Sequence, residues 1–184
     1  MPDVPEPAPR VAAIVLAGGS GTRLGLDGGR NKVYLPLGGV PLLAWSLRTI
    51  GGHHTVERLV VVIRPGDEDE VADAVDAADL GREVRVVHGG ATRSASEAAG
   101  VAALDADTDV VLVHDGARPF VADGMLDALV AAAVRDGAAI PGVPVDDDVV
   151  RLDDTDVASA VPPGSLVRVQ TPQAFRTEVL VAAF

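Results

Sequence analysis

The chain of 184 residues contains no cysteine, which excludes disulfides, thiolate zinc sites, iron–sulfur clusters and a cysteine nucleophile together. Long hydrophobic runs are missing too. Runs such as Ile14–Ala17 and Leu59–Ile63 fall far short of the roughly 18–20 residues that span a bilayer, so no transmembrane helix is expected. Positive charge is scarce. Lysine and arginine number 15 against 27 acidic residues, a formal net charge of −12. That balance opposes general affinity for nucleic acid or for anionic membranes, because both depend on cations meeting phosphates. Lys32 is the single lysine among these cations. Only four histidines remain for any metal. His53 and His54 read as surface residues of a Gly-rich turn and His88 as structural, and no group of them shows metal-ligand spacing.

What is present suits one α/β domain. Hydrophobic residues make up 48% of the chain and aromatic ones 3%, and the length is too short for two full domains. Residues 1–10 hold four prolines and no apolar h-region, so they read as a disordered lead-in and not as a signal peptide. A cytoplasmic location is the default that follows. Residues 11–184 then form the single domain.

Short Val/Ile-rich runs alternate with longer Ala-rich stretches. Strands are expected at Val11–Leu16, Arg58–Ile63, Val84–Val87, Val110–His114 and Ala138–Val143. Helices are expected at Pro41–Thr49, Glu68–Ala77, Ser94–Leu104, Gly124–Arg135 and Thr177–Ala183. Strands apolar on both faces, separated by helices, predict a doubly wound, mostly parallel sheet. From Asp146 to Gln170 the rhythm breaks into acidic, β-branched and proline-containing sequence, which suits a protruding β-arm or an acidic surface loop.

In such sheets ligands bind beyond the carboxyl ends of the strands. That rule selects the loops 17–31, 88–93, 115–120 and 144–148. The first reads LAGGSGTRLGLDGGRNK. Gly18, Gly19 and Gly21 permit positive φ and close approach of backbone N–H groups to an anion, while Arg23 and Lys32 supply charge. Leu24 stands where a dinucleotide fingerprint needs its third glycine, and no Gly-Lys-Ser/Thr closes a Walker A loop. A nucleotide phosphate chain held in some other way is the reading that remains.

The segments LAGGSGTRLG and NKVYLPLGGVPLL resemble the signature of nucleotidyltransferases that join a nucleoside triphosphate to a sugar or polyol phosphate. LVHDGARPF (Leu112–Phe120), VQTPQAF (Val169–Phe175) and HGGATRSAS (His88–Ser96) narrow the resemblance to the 2-C-methyl-D-erythritol 4-phosphate cytidylyltransferase family, which also contains ribitol-5-phosphate enzymes. The resemblance implies a Rossmann-like nucleotidyltransferase fold and a Mg²⁺-dependent reaction between CTP and a polyol phosphate in isoprenoid precursor synthesis. It makes Arg23 and Lys32 the catalytic cations and places Ala17, Gly18, Gly19, Gly21, Gly90 and Ser96 around the nucleotide. Asp115, Arg118 and Thr171 fall to the acceptor, with Asp115 also near the metal, which is held mainly by phosphates. A homodimer joined through the arm is implied as well. His114 precedes Asp115 on one strand, so its side chain should face the other way.

Four positions depart from the family pattern. Asp148 stands where a threonine normally touches the acceptor, and Pro163 stands where an arginine normally reaches it across the dimer; Arg151 and Arg168 are the nearby replacement cations. Asn31 and Val33 flank Lys32 in place of proline and glutamine. The family's second catalytic lysine, in a segment that follows the position of Phe184, has no counterpart within these residues. The alternatives to methylerythritol phosphate transfer are a ribitol-type acceptor and a diverged, weakly active nucleotide binder.

Overall fold

The computed structural model describes residues 7–19, 31–152, 158–162 and 164–184. In chain order the strands are β1 (Val11–Leu16), β2 (Pro36–Leu37), β3 (Val40–Pro41), β4 (Val56–Ile63), β5 (Arg85–His88), β6 (Val110–Asp115), β7 (Ala138–Ala139), β8 (Gly142–Pro144), β9 (Val150–Leu152), β10 (Ala158–Ala160), β11 (Val167–Val169) and β12 (Gln173–Arg176). The helices are α1 (Leu42–Gly51), α2 (Glu68–Ala78), α3 (Arg93–Ala102), α4 (Met125–Asp136) and α5 (Thr177–Val181).

The main sheet has the order β5-β4-β1-β6-β12-β7. β5, β4, β1 and β6 pair in parallel, whereas β12 runs antiparallel to both β6 and β7. Alternation along the central strands separates two cores. Val11, Ala13 and Val15 of β1 point to the side of α1, α2 and α4, together with Leu59, Val61, Ile63, Val110 and Leu112. Ile14, Val60, Val62, Val111 and Val113 point to the other side, where Leu180 of α5 and Val101 of α3 close over them. On α1, Leu43, Leu47 and Ile50 recur at helical spacing and are fully buried. Fully burying one such side chain contributes about 1.5–3 kcal/mol, so the double cover is the main source of stability.

Three expectations need correction. The run 138–143 is not one buried parallel strand. It breaks at Ile140-Pro141, and only Ala138–Ala139 stays in the sheet, while Gly142–Pro144 leaves to pair with β11. Proline has no N–H to give to a ladder, which explains the break. The place next to β6 is taken by β12, from the QAF of the VQTPQAF segment, whose four residues were too few to stand out as a strand. The third expected strand, β5, lies at the sheet edge, with Arg85, Val86 and His88 exposed, and is not covered on both faces.

The arm is present as two antiparallel pairs, β8 with β11 and β9 with β10. Val143, Val150, Leu152, Val167 and Val169 are all exposed along it. Of the expected lead-in, residues 1–6 lie outside the described residues. Arg10 is tied to the sheet: its N–H donates to the Asp109 carboxylate and its carbonyl accepts from Asp109 and Val110. Among the described residues no helix is long and apolar enough to cross a membrane.

Helix α3 approaches β1 closely because Gly100 faces the sheet. A Cβ there would lie 2.6 Å from Ile14 Cγ2 and 3.1 Å from Val62 Cγ2, both on stiff β-branched side chains of central strands. Gly100→Val is expected to destabilise the fold by about 1–3 kcal/mol through overpacking. A lower urea midpoint at constant m-value checks this, and an unchanged midpoint would contradict the close packing of α3.

Candidate active site

The parallel register brings the carboxyl ends of four strands to one rim. Leu16 pairs with Val62 on one side and Asp115 on the other, and Ile63 pairs with His88. The loops that begin at Ala17, Arg64, Gly89 and Gly116 therefore start side by side. Gly21 and Arg23 lie outside the described residues, as does Pro163.

At the first loop, Ala17 continues the sheet by donating its N–H to Val62 at 2.7 Å, and its carbonyl accepts from the Asn31 side-chain amide. Its backbone is largely committed within the fold; one carbonyl lone pair stays open to a ligand. Gly18 and Gly19 do not use positive φ, contrary to expectation. What they provide is room. A Cβ on Gly18 would make only ordinary contact with Ile63 and Arg64, and nothing lies within 4 Å of one on Gly19.

Lys32 opens a single 3₁₀ turn, Lys32–Tyr34, whose cap is the buried Asn31. Asn31 Oδ1 accepts from the Val33 N–H, and Nδ2 donates to Asp67 Oδ2 at 3.1 Å as well as to Ala17. Asp67, 2% exposed, also takes the Arg64 Nε–H at 2.7 Å. A buried carboxylate is costly unless charge-paired and hydrogen-bonded, and here it receives both. This network joins the lysine turn to the loops after β1 and β4. On the other side of the lysine turn, β2 and β3 form a hairpin at Gly38-Gly39, with φ of 63° and 84°. That two-residue turn requires left-handed backbone, hence glycines. Trp45 of α1 donates its indole N–H to Leu37 O at 2.9 Å and fastens the hairpin.

The third loop is closely packed. Thr92 caps α3 by accepting from the Ala95 N–H, and the Ser96 hydroxyl donates to Gly90 O at 3.3 Å. A Cβ on Gly90 would fall 2.5 Å from that of Ala95. Gly90 and Ser96 thus form one tight turn against the N-terminus of α3.

Asp115 is the hub of the fourth loop. Its Oδ1 accepts from Arg93 Nη1 at 2.6 Å and its Oδ2 from Arg118 Nε at 3.1 Å. Arg118 extends to Gln170 Oε1 at 2.5 Å, and Arg93 also holds Glu97 at 2.9 Å. Arg93 went unnoticed in the sequence although the signal was there. It is a cation in the first turn of a helix, where the dipole disfavours positive charge, so it needs an anionic partner.

Thr171 does not extend freely toward a ligand. Its hydroxyl lies 3.2 Å from His114 Nδ1 and 3.3 Å from the Asp115 backbone N–H. His114 is fully buried, and its Nε2 lies 2.9 Å from Arg118 O. A carbonyl only accepts, so Nε2 carries the proton and Nδ1 accepts from the Thr171 hydroxyl, which in turn accepts from Asp115 N–H. Through these two hydrogen bonds Thr171 latches the backbone of the Asp115–Arg118 loop.

For a metal, Asp115 is a poor resident ligand, since both its oxygens face guanidinium groups. The described residues fit a cation that arrives on phosphate oxygens better than one caged by protein. The expectation of no metal-ligand grouping anywhere is corrected: His53, His54 and Asp127 bring their ligand atoms together. The adjacency of two histidines was visible, but their meeting with Asp127, 73 positions after His54, was not. His53 is also more sheltered than a surface residue, its side chain 21% exposed.

The family model for "IspD: 2-C-methyl-D-erythritol 4-phosphate cytidylyltransferase" matches residues 11–184. A 2-C-methyl-D-erythritol 4-phosphate cytidylyltransferase of Frankia casuarinae is 45% identical over 98% of this chain and 66% of its own length. A bifunctional enzyme IspD/IspF of Rhizorhabdus wittichii is 42% identical over 95% of the chain and 44% of its own length. The chain therefore spans about two thirds or less of these curated relatives. The crystal structure of 4-diphosphocytidyl-2C-methyl-D-erythritol synthase from Anaerococcus prevotii superposes with a TM-score of 0.82 at 30% identity, covering 95% of this chain and 73% of that one.

Burial, with a further push from the Arg118 charge, takes the His114 imidazole down to about 4, and the hydrogen bond to Arg118 O and the Asp115 charge offset this only in part. The unfolded chain then binds a proton below about pH 6.5 that the folded chain refuses until about pH 4. Stability from this residue is complete above pH 6.5 and falls as the pH drops to 4, by about 2 kcal/mol at pH 5. Urea unfolding at pH 7.5 and pH 5 should show this loss, and His114→Gln should lose less by that amount. Equal losses in the two proteins would refute the buried neutral imidazole.

Proposed function

The chain belongs to the 2-C-methyl-D-erythritol 4-phosphate cytidylyltransferase family, and on that premise we propose that it transfers CMP from CTP to 2-C-methyl-D-erythritol 4-phosphate with release of pyrophosphate. The observation that carries this reading is the gathering at one sheet rim of the Gly18–Gly19 turn, the braced Lys32 turn and the Arg93–Asp115–Arg118 cluster.

In this reaction a phosphate oxygen of the acceptor bonds to the α-phosphorus of CTP, and the bond from that phosphorus to the bridging oxygen breaks, so that pyrophosphate leaves. The protein's task is to position two anions and stabilise charge. Lys32, fixed by Asn31 and Asp67, supplies positive charge at the triphosphate, together with Arg23. Gly18 and Gly19 leave space for the phosphate chain and ribose, with Ala17 and Gly21 contributing backbone, and the Gly90–Ser96 turn faces the cytosine. Arg118, and with it Arg93, offers the acceptor phosphate a paired guanidinium contact, with Asp115 holding both in place until an anion competes. Thr171 acts through the loop it latches. Mg²⁺ enters as the counter-ion of the triphosphate. In the arm, Arg168 is paired with Asp147 at 2.8 Å, so in this state it is not offered to an acceptor.

A cytoplasmic homodimer joined through the arm completes the proposal, supported by the apolar side chains exposed on both ribbon pairs. Leu152, 68% exposed, is the most open of them. Leu152→Glu is expected to shift the protein from dimer to monomer in sedimentation equilibrium; a monomeric parent would remove the arm from this role.

The decisive assay is pyrophosphate release from MgCTP with methylerythritol phosphate, ribitol 5-phosphate or no acceptor. Release that depends on methylerythritol phosphate is expected, with Lys32→Ala lowering turnover roughly 100- to 1,000-fold while the melting temperature holds. Turnover with ribitol 5-phosphate alone would reassign the acceptor. No turnover with CTP still raising the melting temperature would leave a nucleotide binder.

A further inference from the structure

We propose that His53, His54 and Asp127 form a site for a divalent first-row transition-metal ion of the Zn²⁺ type, separate from the nucleotide rim. His53 and His54 lie in the turn between α1 and β4, at the opposite end of β4 from the rim residue Ile63, and Asp127 is in the first turn of α4. Each oxygen of the carboxylate faces one ring. His54 Nε2 is 3.5 Å from Asp127 Oδ1, and His53 Nε2 is 3.9 Å from Oδ2. All three ligand atoms lie within 4.8 Å of one another. Ligands at about 2.0–2.1 Å around a tetrahedral zinc are about 3.3 Å apart, so closing on a metal takes only small rotamer movements.

The donor set selects the class of ion. Two imidazoles with one carboxylate suit Zn²⁺, Ni²⁺ or Cu²⁺, whereas Mg²⁺ and Ca²⁺ prefer all-oxygen shells. His53 turns its Nε2 toward the carboxylate. Its Nδ1 lies 2.9 Å from Thr55 Oγ1 and accepts from the Thr55 backbone N–H at 3.4 Å, so coordination through Nε2 moves the ring proton to Nδ1, where the Thr55 hydroxyl accepts its hydrogen bond. His53 is the sheltered anchor, while His54, 76% exposed, completes the set from the solvent side and leaves room for water in the remaining position. The rings are 4.5 Å apart and tilted by 35°. With neutral imidazoles the set carries one negative charge, within a chain whose net charge of −12 favours cation capture.

The site bridges elements that already touch: α1 contacts the segment leading to α4 through Ser46 Oγ to Gly116 O and Thr49 Oγ1 to Pro119 O. A bound ion adds a clasp between the α1–β4 turn and α4, and stabilises the folded chain by mass action.

The test is calorimetric titration of the full chain with Zn²⁺ in the absence of nucleotide, with Co²⁺ absorption reporting coordination. One equivalent is expected, together with a rise in melting temperature and visible Co²⁺ bands of low-coordinate geometry. His54→Ala alters an exposed side chain and is expected to weaken binding at least roughly tenfold, as is Asp127→Asn, with the thermal shift lost in both. No binding by the parent chain overturns the proposal. Binding of equal strength in the variants does so too, because the ion then sits elsewhere.

Discussion

β1 is covered on both faces, and a strand so covered has no place for chemistry along its length. From Val11 to Val15 its side chains are shut from solvent, between the core of α1, α2 and α4 and that of α3 and α5. An unpaired polar group there would cost several kcal/mol. Reactive side chains are therefore confined to the point where strands leave the sheet. The parallel register then fixes which of them meet, since Leu16, Asp115, Ile63 and His88 end at the same rim. The same burial that stabilises the domain assembles the candidate site.

The rim solves an electrostatic problem with few cations. A chain with a net charge of −12 must hold positive groups where an anionic substrate can reach them without letting them collapse onto scattered carboxylates. Asp115 does this by engaging Arg93 through one oxygen and Arg118 through the other. A guanidinium fork held in this way is already aimed, so an incoming phosphate exchanges one anionic partner for another with little loss of side-chain entropy. Asp67 does the equivalent for the lysine turn, from below and out of solvent, where Asn31 and Arg64 meet it.

The apolar runs made β1, β4 and β6 legible to within a residue or two, because a strand buried on both faces needs no partner to identify it. The antiparallel insert β12 and the truncated β7 were not legible. Their four and two residues acquire strand character only from each other and from β6. The arm could be read as a break in rhythm, yet its register of Val167 with Pro144 depends on a turn out of the sheet that only the fold reveals.

The site divides along the same line. Residues such as Gly18, Lys32 and Asp115 announce themselves because their motifs are local, and His114 could be assigned to the interior by strand alternation alone. What local pattern cannot supply is the partner. Asn31 reads as an ordinary loop residue until Asp67, 36 positions later, is seen to accept its amide hydrogen, and Thr171 reads as a ligand contact until His114 and the Asp115 N–H are found on its hydroxyl. Each depends on a hydrogen bond between segments far apart in sequence. A hydroxyl already donating and accepting has one lone pair left at most, so its contribution to a ligand passes through the geometry it maintains. The supporting groups of this rim are thus the part a sequence conceals, although they determine where its visible cations point.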